Sequence, residues 1–101
     1  MSPGRTAARR KKRTVNRTAT IRNQRGLHAR AAAKFVKLAT GFDAKISVTR
    51  SGQTVSGNSI MGLMMLAASP GSEVKLSATG RQAEAAITAL MALIENKFEE
   101  D

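Results

Sequence analysis

The sequence predicts an α+β domain of two layers, in which a four-stranded, mostly antiparallel sheet carries helices on one face. Some stretches alternate between apolar and polar residues, which predicts strands, and others have apolar residues spaced three and four positions apart, which predicts helices. They follow one another in the order β-α-β-β-α-β-α. A Ser-Gly turn separates the second strand from the third, which favours a hairpin over parallel crossovers. The length of 101 residues fits one domain.

The first two elements are a strand and a helix. β-branched residues dominate Thr14–Arg22 and predict a half-buried strand, followed by a loop over Asn23–Leu27. The alanine-rich stretch His28–Thr40 predicts a helix that Gly41 ends. The residues expected to face the core are Val15, Ala19, Ile21, Ala32, Phe35, Val36 and Ala39, with Arg17 interrupting the pattern of the strand.

The central elements are a hairpin and a short helix. Ala44–Thr49 and Thr54–Ser56 predict the two strands of the hairpin. Ser59–Leu66 predicts a helix with Ser59 as its N-cap. This helix has more apolar residues than one buried stripe can use, so we expect some of them to be exposed.

The last two elements are a strand and the longest helix. Glu73–Thr79 alternates and predicts the fourth strand, after a turn at Ser69–Gly71. Arg81–Phe98 has the clearest helical spacing in the chain. The residues expected to face the core are Val74, Leu76, Ala78, Ala83, Ala86, Ile87, Leu90, Met91, Ile94 and Phe98.

The charge of the chain is uneven. Seventeen Lys and Arg residues oppose seven Asp and Glu, a net charge of +10. Six of the basic residues lie in Met1–Arg13, which has no large apolar residue after Met1 and is expected to be a disordered basic leader. It is either a solvated tail or an arm for an anionic partner. Residues 14–101 then form the folded domain, with eleven basic and seven acidic residues and a net charge of +4.

Composition excludes several classes of protein. The chain has no cysteine and one histidine, so neither a disulfide nor a Cys- or His-based metal site is expected. No apolar run approaches the roughly 20 residues of a membrane span. The N-terminus lacks the apolar segment of a secretory signal, so the expected compartment is the cytoplasm.

The densest chemical signal is the stretch from Gly26 to Arg30. His28 lies where a loop becomes a helix, beside backbone N–H groups that have no partner within the helix. Gly26 lets the backbone approach a ligand, and Arg30 offers a fork of donors to oxygen atoms. This setting suits a histidine that accepts a phosphoryl group. The alternative is a histidine that merely caps the helix.

A second signal runs from Gly57 to Met65. Ser59 at a helix start is a good cap and a possible phosphorylation site, because the helix dipole favours added negative charge there. The methionines behind it suit a surface that meets more than one partner. The alternative is that Ser59 is only a cap and that the methionines fill the core.

Together the two stretches, GLHAR before an alanine-rich helix and NSIMGLMML about thirty residues later, resemble the histidine-containing phosphocarrier protein (HPr) family of the phosphoenolpyruvate-dependent phosphotransferase system. The resemblance runs from about Thr14 to Phe98 and implies an open-faced sandwich. It implies phosphorylation of His28 at Nδ1, assistance from Arg30 and a regulatory phosphorylation of Ser59. One departure is Ala31, where the family often has proline.

The resemblance also implies the partners. Phosphorylated enzyme I would donate the phosphoryl group, an enzyme IIA-type protein would accept it, and an HPr kinase/phosphorylase would modify Ser59. The chain would act as a monomer without a cofactor and without turnover of its own. The residues expected to dock partners are Ile60, Met61, Leu63, Met64 and Arg25, the last within a basic cluster that suits an acidic face.

Three other functions stay open at this point. One is a purely regulatory interaction module that keeps the fold and uses phosphorylation only as a switch. The nitrogen-related regulatory branch uses carriers of the same fold, so sugar transport does not follow from the motifs alone. A small basic nucleic-acid-binding domain would explain the charge. The chain has no Tyr or Trp, however, and Phe35 and Phe98 fall on core-facing positions, so base-stacking surfaces are scarce and no specific nucleic acid is expected.

Overall fold

The computed structural model describes residues 14–100, so the predicted leader and Asp101 lie outside the described residues. The order of elements is β-α-β-β-α-β-α, as predicted. The elements are β1 (Thr14–Thr20), α1 (Ala29–Ala39), β2 (Lys45–Arg50), β3 (Gln53–Ser56), α2 (Ile60–Met65), β4 (Glu73–Thr79) and α3 (Ala83–Glu95).

The four strands form one sheet in the order β1-β4-β2-β3, and every neighbouring pair is antiparallel. Leu76 in the central strand β4 lies opposite Arg17 of β1 and Val48 of β2. Hairpin β2–β3 pairs from Ser47 with Ser56 to Arg50 with Gln53. The prediction of a mostly antiparallel sheet is therefore confirmed.

The core lies between the sheet and the helices. Phe35 of α1, Leu76 of β4 and Leu90 of α3 are all at most 1% exposed. Along β4 the buried residues alternate with exposed ones such as Lys75, because successive side chains point to opposite faces of a strand. The helices thus cover one face of the sheet, which confirms the predicted two-layer class. No helix in residues 14–100 is long and apolar enough to cross a bilayer.

Strand β1 differs from its prediction at its C-terminal end. It ends at Thr20 rather than Arg22. Ile21 nevertheless forms two backbone hydrogen bonds with the turn that precedes β4, donating to Ser72 O at 2.9 Å and accepting from Gly71 N at 2.8 Å. Arg17 is exposed because β1 is an edge strand, from which its guanidinium extends to Glu84 of α3 at 3.7 Å.

The predicted helix Arg81–Phe98 is too long at both ends, since α3 spans Ala83–Glu95. After Asn96, the backbone of Lys97, Phe98 and Glu99 turns left-handed, with φ of 58°, 54° and 63°. This turn reverses the chain, yet Phe98 is fully buried, as its apolar spacing predicted. The residues after Phe98 are thereby directed back toward the start of α1.

Candidate functional site

The loop before α1 is held tightly against the segment that follows α2. Gly26 has φ of +66°, and a Cβ at this position would lie 2.4 Å from the carbonyl oxygen of Ala68. The next residue, Leu27, is buried and donates its N–H to that same oxygen at 2.9 Å. Only glycine fits this close approach, and the approach fixes where the following histidine lies.

His28 is the N-cap of α1, and both of its ring nitrogens have partners. The N–H of Arg30 donates to Nδ1 at 3.3 Å. Nε2 lies 2.6 Å from Oε2 of Glu100. An N–H donor at Nδ1 and a carboxylate at Nε2 both favour the tautomer with its proton on Nε2, so Nδ1 is the unprotonated nitrogen and carries the lone pair.

Glu100 also bonds to Asn23, which lies in the loop that begins the site. Asn23 Nδ2 donates to Glu100 Oε1 at 3.0 Å and to Gly26 O at 2.8 Å. Asn23 is fully buried, and its Oδ1 accepts no hydrogen bond from the residues that the structure describes. The Asn23 side chain is therefore used as a donor, and it ties the Glu100 carboxylate to the loop.

The electrostatic environment of Glu100 favours the carboxylate. Burial by itself would raise the pKa of Glu100, but hydrogen bonds from Asn23 and His28 outweigh it. Coulombic attraction to His28 and Lys34 adds to them, and the pKa falls below its ordinary value. Near neutral pH the group facing Nε2 is thus an anion that can only accept hydrogen bonds.

The two arginines predicted near the histidine are both exposed. Within residues 14–100 the guanidinium groups of Arg25 and Arg30 take part in no ion pair. The backbone of Arg30 contacts the ring of His28, whereas its side chain faces solvent. A guanidinium in this state is available to the oxygens of an incoming anion.

Helix α2 carries the second predicted site. Ser59 is its N-cap, as predicted, and its Oγ accepts from the N–H of Gly62 at 2.9 Å. The loop after α2 is the segment that contacts Gly26 and Leu27, so the two sites share one side of the domain. The exposed apolar residues of α2, here called the apolar patch, are Ile60, Met61, Met64 and Met65.

One predicted docking residue is wrong. Leu63 is 0% exposed and belongs to the core, because it lies on the side of α2 that packs against the rest of the domain. Met65, 64% exposed, was not predicted and takes its place in the apolar patch. The excess of apolar residues in α2 correctly predicted that some of them are exposed. A helix of six residues is too short, however, for its sequence to indicate which side is buried.

Asn23 and Glu100 were also not identified from the sequence. In the sequence, Glu100 is one of several acidic residues at the C-terminal end, with Glu95, Glu99 and Asp101, and it lies 72 positions from the histidine that it contacts. The available signal was Phe98, a core-facing residue so close to the acidic end that the following residues had to pass near the core. Nothing in the sequence indicated which residue would receive the carboxylate.

Comparison with known proteins agrees with the geometry. A family model described as the PTS HPr component phosphorylation site matches residues 15–96. Phosphocarrier protein HPr of Cupriavidus necator is 48% identical over 86 residues, which cover 85% of this chain and 97% of that protein. Phosphocarrier protein NPr of Shewanella violacea is 42% identical over 86 residues, 85% of this chain and 94% of the relative.

Among solved structures, the crystal structure of HPr-C-His from Thermoanaerobacter tengcongensis superposes with a TM-score of 0.83 at 48% identity. The match covers 86% of this chain and 98% of that one. Sequence, fold and the family model agree over nearly the whole of the described domain. The chain therefore belongs to the HPr/NPr phosphocarrier family and has the general role of a phosphocarrier of the phosphotransferase system.

Proposed function

We propose that the chain accepts a phosphoryl group on Nδ1 of His28 from phosphorylated enzyme I and passes it to an enzyme IIA-type protein. The observation that carries the proposal is the pair of contacts on the imidazole. The Arg30 N–H at Nδ1 and the Glu100 carboxylate at Nε2 leave Nδ1 as the unprotonated nitrogen. A neutral ring nitrogen is the nucleophile that such a transfer requires.

The transfer is a displacement at phosphorus. The lone pair of His28 Nδ1 forms the new N–P bond while the bond from phosphorus to the donor's histidine nitrogen breaks, and that bonding pair returns to the donor ring. The proton on Nε2 stays in place beside Glu100. The Arg30 N–H, which now bonds to Nδ1, is positioned to bond to a phosphoryl oxygen, and the start of α1 favours the added negative charge.

Partner docking is assigned to the apolar patch and to Arg25. Met61 and Met65 are 72% and 64% exposed, and such flexible apolar side chains suit a surface that must bind a donor and an acceptor in turn. Exposed Arg25 lies in the loop next to His28 and suits a partner with an acidic face.

The direct test is phosphorylation of the full chain by enzyme I and phosphoenolpyruvate. We expect one acid-labile phosphate per chain, and none in His28→Ala. Arg30→Ala serves as a second variant in which the acceptor nitrogen is retained. An unlabelled wild type, or a His28→Ala variant labelled as fully as the wild type, would contradict the proposal.

We also propose that Ser59 is a site of regulatory phosphorylation by an HPr kinase/phosphorylase. Its Oγ sits at the start of α2 next to Ile60 and Met61 of the apolar patch, and Ser59 is partly exposed. A phosphate there would add a charge of about −1.5 to −2 beside an apolar docking surface. The expected consequence is weaker binding to enzyme I.

Two substitutions separate charge from helix capping at Ser59. Ser59→Asp and Ser59→Asn both keep an N-cap side chain, but only the aspartate adds a charge. We expect Ser59→Asp to weaken the affinity for enzyme I and Ser59→Asn to leave it unchanged, measured by titration calorimetry. Equal affinities for the two variants would argue against the regulatory role.

A second candidate acceptor is the nitrogen-related regulatory branch. It is favoured by a relative that is a phosphocarrier protein NPr, with 42% identity, beside the HPr relative. To discriminate the two branches, the phosphorylated chain is mixed with a sugar-specific and, separately, with a nitrogen-branch enzyme IIA protein, and the rates of phosphoryl transfer are compared. Faster transfer to the sugar-specific acceptor supports sugar transport, and the reverse supports the regulatory branch.

We further propose that the carrier acts as a monomer in the cytoplasm. The phosphoenolpyruvate that the resemblance implies as phosphoryl source is a cytoplasmic metabolite. A monomer also leaves the apolar patch free for enzyme I and the acceptor. Sedimentation equilibrium of the full chain at micromolar concentration would show a dimer if this part of the proposal is wrong.

A further inference from the structure

Residues Lys97–Glu100, here called the strap, leave the end of α3 and cross to the start of α1. Phe98 anchors the strap, since its side chain is fully buried. Lys34 of α1 fastens it a second time, donating from Nζ to the Phe98 carbonyl at 2.8 Å. Left-handed backbone at three successive non-glycine residues is unfavourable, so these anchors are needed to hold the strap in this path.

The strap delivers one functional group to the site. Its last residue, Glu100, divides its two carboxylate oxygens between Asn23 at 3.0 Å and the ring of His28 at 2.6 Å. The side chain of Glu100 is only 12% exposed, against 67% for Glu99 beside it. Of these two neighbouring glutamates, one is therefore built into the site and the other faces solvent.

We propose that Glu100 is a positioning residue for phosphoryl transfer: its carboxylate holds the imidazole of His28 in place and keeps the proton on Nε2 while Nδ1 reacts. This inference rests on the proposed function of His28. As the N–P bond forms, the ring gains positive charge, and a fixed anion at Nε2 stabilises that charge where it develops. No proton has to leave the ring during the step.

Asn23 gives the carboxylate its fixed orientation. Both N–H groups of its buried side-chain amide donate hydrogen bonds, one to Gly26 O and one to Glu100 Oε1. The loop that places His28 therefore also places the anion that faces its ring. The arrangement couples the strap, the loop and the histidine into one unit, in which Glu100 acts through His28 rather than on the phosphoryl group.

Glu100→Gln tests the proposal with almost no change of volume. A glutamine offers one oxygen where the carboxylate offered two, so it cannot accept from Asn23 and from His28 through different oxygens. Glu99→Gln is the matched control, because it removes the same charge one residue earlier at a side chain that is 67% exposed and whose ion pair with Lys34 is long, at 3.9 Å. Far-UV circular dichroism verifies that both variants fold.

The first readout is the Nε2–H proton of His28 in 15N-labelled full-length chain, observed by NMR at a pH where the ring is neutral. We expect a hydrogen-bonded, downfield resonance in the wild type and in Glu99→Gln, and its loss in Glu100→Gln. The second readout is the rate of phosphorylation by enzyme I. We expect it to fall roughly 10-fold in Glu100→Gln, the lower end of what metal-ligating histidines lose when such a hydrogen-bonding partner is removed, and to be unchanged in Glu99→Gln.

A wild-type rate and an unchanged Nε2–H resonance in Glu100→Gln would overturn the proposal. Loss of the resonance with an unchanged rate would overturn it too, since the contact would then be structural only. In both of these cases the wild type is still phosphorylated on His28, so only the role of Glu100 fails. If the wild type itself is not phosphorylated, the proposed function of the chain is overturned, and the positioning role with it.

Discussion

Gly26→Ala should disturb the active loop more than an equivalent change at an open glycine. The Cβ of alanine would lie 2.4 Å from Ala68 O, whereas real Cβ contacts are essentially never under 3.0 Å. One of the two groups must therefore move by at least 0.6 Å, the difference between these distances. The partner is a backbone carbonyl, which cannot rotate away as a side chain can.

Two costs contribute to the loss of stability. An alanine held at φ of +66° costs about 1–2 kcal/mol of left-handed strain. Moving the Ala68 carbonyl weakens the 2.9 Å bond that it accepts from Leu27, worth about 0.5–1.5 kcal/mol. The expected decrease in the free energy of unfolding, the sum of these two costs, is therefore about 1.5–3.5 kcal/mol. His28 follows Leu27 directly, so phosphorylation by enzyme I should also be slower.

Gly52→Ala is the matched control. Gly52 has φ of +81°, and no atom lies within 4 Å of the place that a Cβ would take, so its substitution brings the backbone strain without the clash. Urea unfolding followed by far-UV circular dichroism suits a chain that has no Trp or Tyr for fluorescence. Equal losses of stability in the two variants, or an undisturbed phosphorylation rate in Gly26→Ala, would refute the reasoning.

Three further predictions follow from the described contacts. Leu63→Ala should lower the free energy of unfolding by about 2–5 kcal/mol because Leu63 is fully buried. Met64→Ala, in the exposed apolar patch, should change it by under about 0.5 kcal/mol in the same urea titration; similar losses for both would contradict the division between core and patch. Because the pKa of Glu100 is lowered on folding, its contribution to stability is present above the ordinary glutamate pKa of about 4.3 and is lost as the pH falls through the lowered value. The wild type should therefore lose more stability than Glu100→Gln between pH 5 and the acid transition, and parallel curves for the two would count against this. Arg30→Ala should slow transfer from enzyme I while changing the free energy of unfolding by less than about 0.5 kcal/mol, since its side chain is exposed; an unchanged transfer rate would remove Arg30 from the mechanism.

The parts of the fold that sequence predicted are those governed by local periodicity. The alternation in Glu73–Thr79 and the helical spacing from Ala83 to Ile94 each depend on residues within a few positions of one another. The end of α3 was wrong because Phe98 continues the helical spacing of its apolar residues. The backbone nevertheless turns left-handed there, and the turn is held by Lys34, 64 positions away.

The candidate site divides in the same way. His28 and Ser59 were predicted because a helix start has local signals, and the structure places both as N-caps. Glu100 could not be predicted, because its contact with His28 depends on the path of the strap through space. Leu63 was assigned to the docking surface because apolar spacing in a short helix does not distinguish its two sides.

The central claim is that the phosphoryl group resides on one particular atom of His28. Long-range 1H–15N correlation NMR of the 15N-labelled chain, recorded after phosphorylation by enzyme I and phosphoenolpyruvate, identifies the ring nitrogen bonded to phosphorus. The contacts of Arg30 and Glu100 with the ring predict phosphorus on Nδ1 and a retained hydrogen on Nε2. Phosphorus on Nε2, or on any residue other than His28, would contradict the account.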